Sequence, residues 1–297
     1  MQVFVTGASG WIGSAAVEQL LARGHDVEGT ARSDASAAKL EAMGARVRRT
    51  DLDDLDGLRA GALAADAVIH LANKHDFTNP AESNRAERAA VQTFVDALAG
   101  SGKRFLLASG VAGLAQGGRP STEADRTSAR GPEAPRGGTE NLALDAVPEV
   151  ASVSLRFAPT VHGAGDHGFI AEIVRVAKAR GVAGYVGDGS GRWPAVHVSD
   201  AGRAVALGLE QAPAGTALHV VAEEGIATRT IAEVIGERLG LPTASIDPAD
   251  VAEHFGWIGM FWSLDWPSSS ADTQRLLGWT PTGPTLLEDL ESGAYTS

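Results

Sequence analysis

The chain has 297 residues, 44% hydrophobic and 21% charged, which fits a soluble globular protein of one large or two modest domains. Its net charge of -12, with no basic run, argues against nucleic acid and anionic membrane as partners. There is no cysteine for a disulfide or thiolate site, no signal peptide, and no apolar run of the ~18 residues a membrane span needs, so a cytoplasmic protein is expected.

Gln2 to Thr6 is a short apolar run that stops at Gly7, and Ser14 to Leu21 reads as a helix. Gly7, Gly10 and Gly13 punctuate the turn between them. Strand, glycine turn and helix form the setting of a dinucleotide fingerprint. Gly7 permits the tight turn, Gly10 lets the backbone approach a pyrophosphate, and Gly13 lets helix and strand pack closely. Ser9, Trp11 and Ile12 lie between these glycines and complete the expected cofactor turn.

Further along, Asp26–Ala31, Ala45–Arg49, Ala67–Leu71, Arg104–Ala108 and Val150–Phe157 read as strands. Helices are expected at Ala35–Ala42, Leu55–Ala64, Ala81–Leu98 and Glu140–Ala146. This alternation predicts an α/β fold, a Rossmann-type doubly wound parallel sheet. A Gly/Pro-rich stretch from Gln116 to Pro135 is either a surface loop or a border of the active site. Beyond Pro159 the pattern loosens into short strands at Ala183–Val186 and Ala217–Val221 and helices at Ala201–Glu210 and Ile231–Leu239. The expected division is a cofactor-binding domain over 1–160, rejoined by 195–222, and a mainly substrate-binding region over 161–297. Phe255 to Trp262 and Trp266 form an aromatic cluster that reads more readily as core or dimer contact than as ligand platform.

The end of the second strand reads Thr30, Ala31, Arg32, Ser33, with no carboxylate to hold a ribose 2′-hydroxyl. Arg32 can fork to a 2′-phosphate and Ser33 can add a hydrogen bond, which predicts NADP(H).

The run Thr6 to Gly13, with Asp51, Leu52 and His70 to Asn73, resembles the extended short-chain dehydrogenase/reductase superfamily, which includes nucleotide-sugar epimerases and dehydratases. Leu155 to Gly163 and His197 to Asp200 add to the likeness, which covers nearly the whole chain. The resemblance implies that Asp51 and Leu52 flank the adenine, that Leu71, Ala72 and Asn73 line the cofactor, and that Pro159 lies near the nicotinamide. It also implies a homodimer through the helices at Ala81–Leu98 and Glu140–Ala146.

The departure is at the proton donor. The superfamily uses a tyrosine followed four residues later by a lysine, but neither Tyr185 nor Tyr295 has such a lysine. Aligning Glu140 with a glutamate that often follows that motif puts Arg136 at the lysine position and Pro132 at the tyrosine position. Ser109 is the only hydroxyl in the usual serine/threonine segment. His75, Asp76 and Phe77 resemble an atypical subgroup often known only as epimerase- or reductase-like.

Candidates for the chemistry follow from position and type. His75 titrates in the useful range, and Asp76 could pair with an iminium or cap the following helix. Lys74 could touch ribose or phosphate, and Arg136 could hold ribose or polarise an oxygen. Ser109 and Tyr185 complete the catalytic candidates, with Tyr295 set aside as part of a frayed terminus. His162, counted with the cofactor residues, and His167 bracket a loop expected over the substrate. Ser199 or Asp200 reads as a helix cap. The histidines are scattered, so no metal site is expected.

The leading reading is an NADPH-dependent oxidoreductase reducing a small carbonyl or imine compound. A nucleotide-sugar epimerase or dehydratase and a non-catalytic NADP(H)-binding regulator are the alternatives.

Overall fold

The computed structural model describes residues 1–76, 79–114, 117–132 and 134–295. Phe77, Gln116 and Glu133 lie outside the described residues. Gln2–Thr6 forms strand β1, buried on both faces: Val3 and Val5 join one hydrophobic cluster and Phe4 another. Burial on both faces is what an interior strand of a parallel sheet requires. Around it run α1 (Trp11–Ala22), β2 (Asp26–Ala31), α2 (Asp34–Ala42), β3 (Arg46–Arg49), α3 (Leu55–Ala64) and β4 (Ala67–His70). They are followed by α4 (Pro80–Leu98), β5 (Arg104–Gly110), α5 (Arg136–Leu144) and β6 (Ala151–Phe157).

The remaining chain comprises β7 (Thr160–His162), α6 (Phe169–Arg180), β8 (Ala183–Val186), β9 (Arg192–His197), α7 (Val198–Gln211) and β10 (Ala217–Val220). Then come β11 (Glu223–Ala227), α8 (Thr228–Leu239), β12 (Thr243–Ile246), α9 (Val251–Phe255), α10 (Gly259–Trp262), α11 (Ala271–Leu277) and α12 (Leu286–Ser292). Seven parallel strands form the main sheet in the order β10-β6-β5-β4-β1-β2-β3. Helix α7 returns to this sheet and lies against α1. A Cβ on Gly202 would come within 2.6 Å of the Ala15 carbonyl carbon, so the contact needs glycine.

The C-terminal lobe has its own core of Ile170, Trp193, Ile231, Phe255, Trp262 and Trp266. In it β9 lies between β11 and β7, although it contains Pro194, a residue that disfavours a central strand. The ladder accommodates Pro194 with an irregularity. Glu223 pairs with Ala195 and Ile226 with Trp193, and the register shifts between them. Neither β9 nor β11 was among the strands expected from the sequence. Helix α5 begins at Arg136, four residues before the expected start at Glu140. Among the described residues no helix is long and apolar enough to cross a membrane.

Candidate functional site

The carboxyl ends of β1, β2, β4 and β5 open on one crevice, where ligands bind in sheets of this kind. At its base Gly7 takes φ +68°, and a Cβ there would press on the Ala72 nitrogen at 2.8 Å. A Cβ on Gly13 would overlap the Gly7 carbonyl oxygen. Gly10 donates its N–H to that oxygen at 2.9 Å. Helix α1 has no side-chain cap and no acidic residue in its first turn, so the N–H groups around Trp11 and Ile12 remain open to phosphate. The residues present therefore fit a pyrophosphate. The Gly7 N–H donates to Thr30 Oγ1 at 3.3 Å, which ties this turn to β2.

At the end of β2, Arg32 is exposed. Ser33 caps α2, its Oγ accepting from the Ser36 N–H at 3.2 Å. Asp34 is held by Arg49 at 2.6 Å. Lys39, which the sequence reading did not single out, donates to the Ser9 carbonyl at 3.0 Å and so brings a cation to the glycine turn. After β3, Asp51 Oδ1 accepts from the N–H groups of Asp53 and Asp54, and Leu52 packs on the Phe4 cluster.

After β4, Leu71 packs on the main core and the Ala72 N–H donates to Thr6 Oγ1 at 3.3 Å. The Thr6 hydroxyl is then the donor to His70 Nδ1 at 2.7 Å. Burial, with Arg136 second, pulls the His70 imidazole down to about 3, and its Nε2 has no partner among the described residues. Asn73 is a bracket: its Nδ2 donates to Glu87 Oε2 at 3.2 Å and its Oδ1 accepts from the His75 N–H at 2.8 Å. Lys74 is drawn between Asp53 at 2.8 Å and Glu82 at 3.3 Å. His75 adopts φ +49°, a conformation that costs a non-glycine residue energy. It keeps an exposed edge, yet the crevice walls, then Arg136, then His167 lower its imidazole to about 4. Asp76 Oδ1 accepts from the Asn79 N–H at 3.1 Å, while Asn79 itself caps α4.

Arg136 opens α5 and reaches back into the crevice floor, 3.2 Å from Glu87 and 3.3 Å from the Ala108 carbonyl. Glu87 is 2% exposed, and burial raises its carboxyl despite Arg136. Ser109 is turned away from this group: its Oγ donates to Glu140 at 3.1 Å. Glu140 in turn grips Arg156 at 2.6 Å, and Arg156 donates to His219 Nε2 at 3.3 Å. His219 Nδ1 donates to the Ser269 carbonyl at 2.8 Å. These groups form a buried structural network behind β5. Gly110, next along the strand, has nothing within 3.7 Å of a would-be Cβ; its nearest atom is the Phe157 carbonyl oxygen at 3.8 Å.

Pro159 is half-buried between β6 and β7. His162 is fully buried, with Nδ1 2.6 Å from Asp289 on α12, and so faces the C-terminal lobe. Burial lowers it even against the pull of Asp289. His167 instead lies beside Trp11, ring centroids 6.0 Å apart, and acts electrostatically on His75. Trp11 Nε1 donates to the Val161 carbonyl at 2.7 Å. Tyr185 stands on β8 under Arg229, whose guanidinium is 5.5 Å from the ring centroid. The expectation of a frayed Tyr295 is overturned. Tyr295 is 8% exposed; its hydroxyl donates to Asp166 at 2.8 Å and accepts the Gly163 N–H at 3.4 Å. Burial, with Asp166 beside it, pushes this phenol well above its ordinary range, so it holds its proton. The caps of α7 also differ from expectation. His197 caps it through Nδ1, and Asp200 accepts from Thr282, Gly283 and Arg203.

The crevice thus brings together Trp11, Asn73, His75, Arg136 and His167, and leaves Ser109, His162 and Tyr185 outside that group. Among the described residues no cluster of His, Asp or Glu is placed to hold a metal ion. A glycine turn on an uncapped helix in a doubly wound parallel sheet defines a Rossmann-type dinucleotide-binding protein. The chain belongs to the NAD dependent epimerase/dehydratase family, whose model matches residues 3–221. It is 43% identical over 296 residues to the uncharacterized protein C2A9.02 of Schizosaccharomyces pombe, covering 99% of this chain and 100% of that one. A 4-hydroxy-2-methyl-3-oxo-4-farnesyl-3,4-dihydroquinoline-1-oxide ketoreductase of Stigmatella aurantiaca is 24% identical over 288 residues, 93% of this chain and 85% of that one. Among solved structures, MoeE5 in complex with UDP-glucuronic acid and NAD is 26% identical with TM-score 0.72, covering 98% of this chain and 96% of that one.

Proposed function

We propose that the chain is an NADPH-dependent reductase delivering hydride to a small, uncharged carbonyl or imine compound. The observation that carries this reading is the state of three arginines on the C-terminal lobe. Arg175, Arg192 and Arg229 each hold a carboxylate, of Glu172, Asp265 and Glu233. A substrate diphosphate drawn to any of these three would have to displace its carboxylate. The choice of NADP(H) rests on exposed Arg32, whose acidic neighbour Asp34 is taken by Arg49, and on Lys39 at the glycine turn. Residues 1–160 with 195–222 form the cofactor-binding part, 161–297 the substrate-binding part, and α4 and α5 join two copies as a homodimer.

When bound, the nicotinamide supplies the hydride. Glu87 and the Ala108 carbonyl fix the Arg136 guanidinium, which holds a ribose hydroxyl or the substrate oxygen. His75 is neutral at pH 7, and its imidazole N–H hydrogen-bonds the carbonyl oxygen. Negative charge growing on that oxygen raises the proton affinity of the ring, which takes a proton from solvent and passes it to the alkoxide. Asp76, one residue on and exposed, is the partner for an iminium.

The likeness to MoeE5, solved with UDP-glucuronic acid and NAD, favours a second reading, an enzyme acting on nucleotide sugars such as an epimerase or dehydratase. A panel of aldehydes, cyclic ketones and cyclic imines, with NADPH and NADH in parallel, separates these readings. NADPH consumption supports the reductase. UDP-sugar binding with retained cofactor and no net oxidation supports the epimerase. NADPH binding without turnover of either class leaves a cofactor-binding regulator.

A further inference from the structure

The segment from Phe255 to Trp266 is apolar on two faces. Phe255, Ile258, Trp262 and Trp266 are buried in the lobe's core. Trp257, Met260, Phe261 and Leu264 recur at the i, i+3, i+4, i+7 spacing of a helical stripe; Trp257, Met260 and Leu264 turn outward, and Phe261 packs between them and the core. Trp257 is 38% exposed, Met260 66% and Leu264 41%, with Phe261 half-buried. Apolar side chains grouped on a surface in this way mark a binding face.

The stripe runs toward the crevice at one end and meets the loop beyond β5 at the other. At one end Phe169 lies 5.7 Å from Trp257 and 5.1 Å from Phe261, ring centroid to centroid. Phe169 opens α6 two residues after His167, which touches Trp11 and acts on His75. At the other end Asp265 holds Arg192, whose guanidinium reaches the Gly118 carbonyl at 2.8 Å in the loop beyond β5. The charges around the stripe are already matched by Arg175 with Glu172 and Arg192 with Asp265. An occupant that brought its own charge would find no free partner in these pairs.

We infer that Trp257, Met260, Phe261 and Leu264, with Phe169, form a subsite for an uncharged aromatic or extended apolar group attached to the substrate carbonyl. The inference rests on the reductase reading and adds the substrate class to it. A flat conjugated group is favoured because Trp257 and Phe261 offer ring faces and edges, while the thioether of Met260 adapts to either. The carbonyl end then lies toward His167 and His75 and the apolar end along the stripe.

The test compares cinnamaldehyde with propanal, which is too short to reach the stripe, in the full-length protein with NADPH. Trp257→Ala and Met260→Ala are each expected to lower the ratio of kcat/KM for cinnamaldehyde over propanal by about tenfold, mainly through KM. Leu63→Ala, which removes an exposed apolar side chain on α3, is the control and leaves the ratio unchanged. Quenching of tryptophan fluorescence by cinnamyl alcohol is read alongside, because it needs no turnover. A ratio unmoved by both variants overturns the subsite and leaves the reductase standing. If neither aldehyde is turned over, Met260→Ala-sensitive quenching keeps the subsite as an apolar binding face, and the reductase reading falls only if the ketone and imine panel is silent as well. Quenching that is absent, or insensitive to Met260→Ala, overturns the subsite in that case too.

Discussion

The two walls of the crevice hold their shape by different means. On the cofactor wall the backbone does it: Gly7 fits against the Ala72 nitrogen, Gly13 against the Gly7 carbonyl, and Gly10 bonds back to Gly7. On the facing wall the loop after β7 is tied down by side chains that come from far along the chain. Trp11 takes the Val161 carbonyl, Tyr295 takes Asp166 and the Gly163 N–H, and His162 takes Asp289. A wall made of backbone contacts tolerates almost no added atom, whereas a wall of side-chain ties loosens one contact at a time. On the proposed function, the first wall would fix the cofactor and the second would adjust the substrate.

Substitutions on the cofactor wall should therefore be the most damaging. Gly13→Val forces a branched side chain into the Gly7 carbonyl and is expected to cost more than ~3 kcal/mol and abolish NADPH binding, as thermal melts with and without cofactor would show. A mild effect would mean that the turn is softer than the comparison holds.

Acid should act next, through the buried imidazole at the inner end of β4. The folded-state value of His70, about 3, lies below that of an unfolded histidine. The folded chain thus binds fewer protons at low pH. Stability is full above about pH 6.5 and falls as pH drops, by ~3 kcal/mol between pH 7 and pH 4 from this residue. His70→Asn, whose side-chain oxygen can replace Nδ1 as acceptor for Thr6, should flatten that limb in melts recorded across the range. An unchanged slope would show that His70 is accessible to protons.

Arg136→Met leaves Glu87 buried beside an apolar chain. The expected loss is ~2 kcal/mol, at the lower end because Arg136 is one-third exposed, together with a fall in kcat larger than any change in NADPH affinity. Equal loss of both would assign Arg136 to cofactor binding alone. Smallest of all, Tyr295→Phe removes one hydroxyl from the facing wall. It should cost ~1 kcal/mol and raise the substrate KM a few-fold while sparing NADPH binding. Loss of NADPH binding there would erase the distinction between the walls.

Local pattern made the cofactor wall readable. Residues 1 to 157 alternate between strand and helix periods, and the glycine spacing is a short-range signal, so the order of elements through β6 could be read ahead of the structure. The facing wall rests on pairs that no local pattern joins. Tyr295 lies in a short polar tail, and its partner Asp166 is 129 positions away. His162 sits in a three-residue strand whose alternation turns it inward, to an aspartate 127 positions on. Lys74 has a side chain suited to phosphate, but Asp53 and Glu82 hold it. Ser109 illustrates the same limit. Its residue type suggested chemistry, and only the Glu140 and Arg156 network shows that its hydroxyl is spent inside the fold.

Tracing the hydride itself tests the central claim most directly. NADPH carrying deuterium on the transferred position of the nicotinamide would be incubated with the protein and a cyclic ketone or aldehyde, and the product alcohol analysed by mass spectrometry. The account predicts one deuterium in the alcohol at the former carbonyl carbon, with little label transferred from the NADH analogue. Unlabelled carbonyl across the panel, beside a UDP-sugar inverted with no net loss of cofactor, would contradict it.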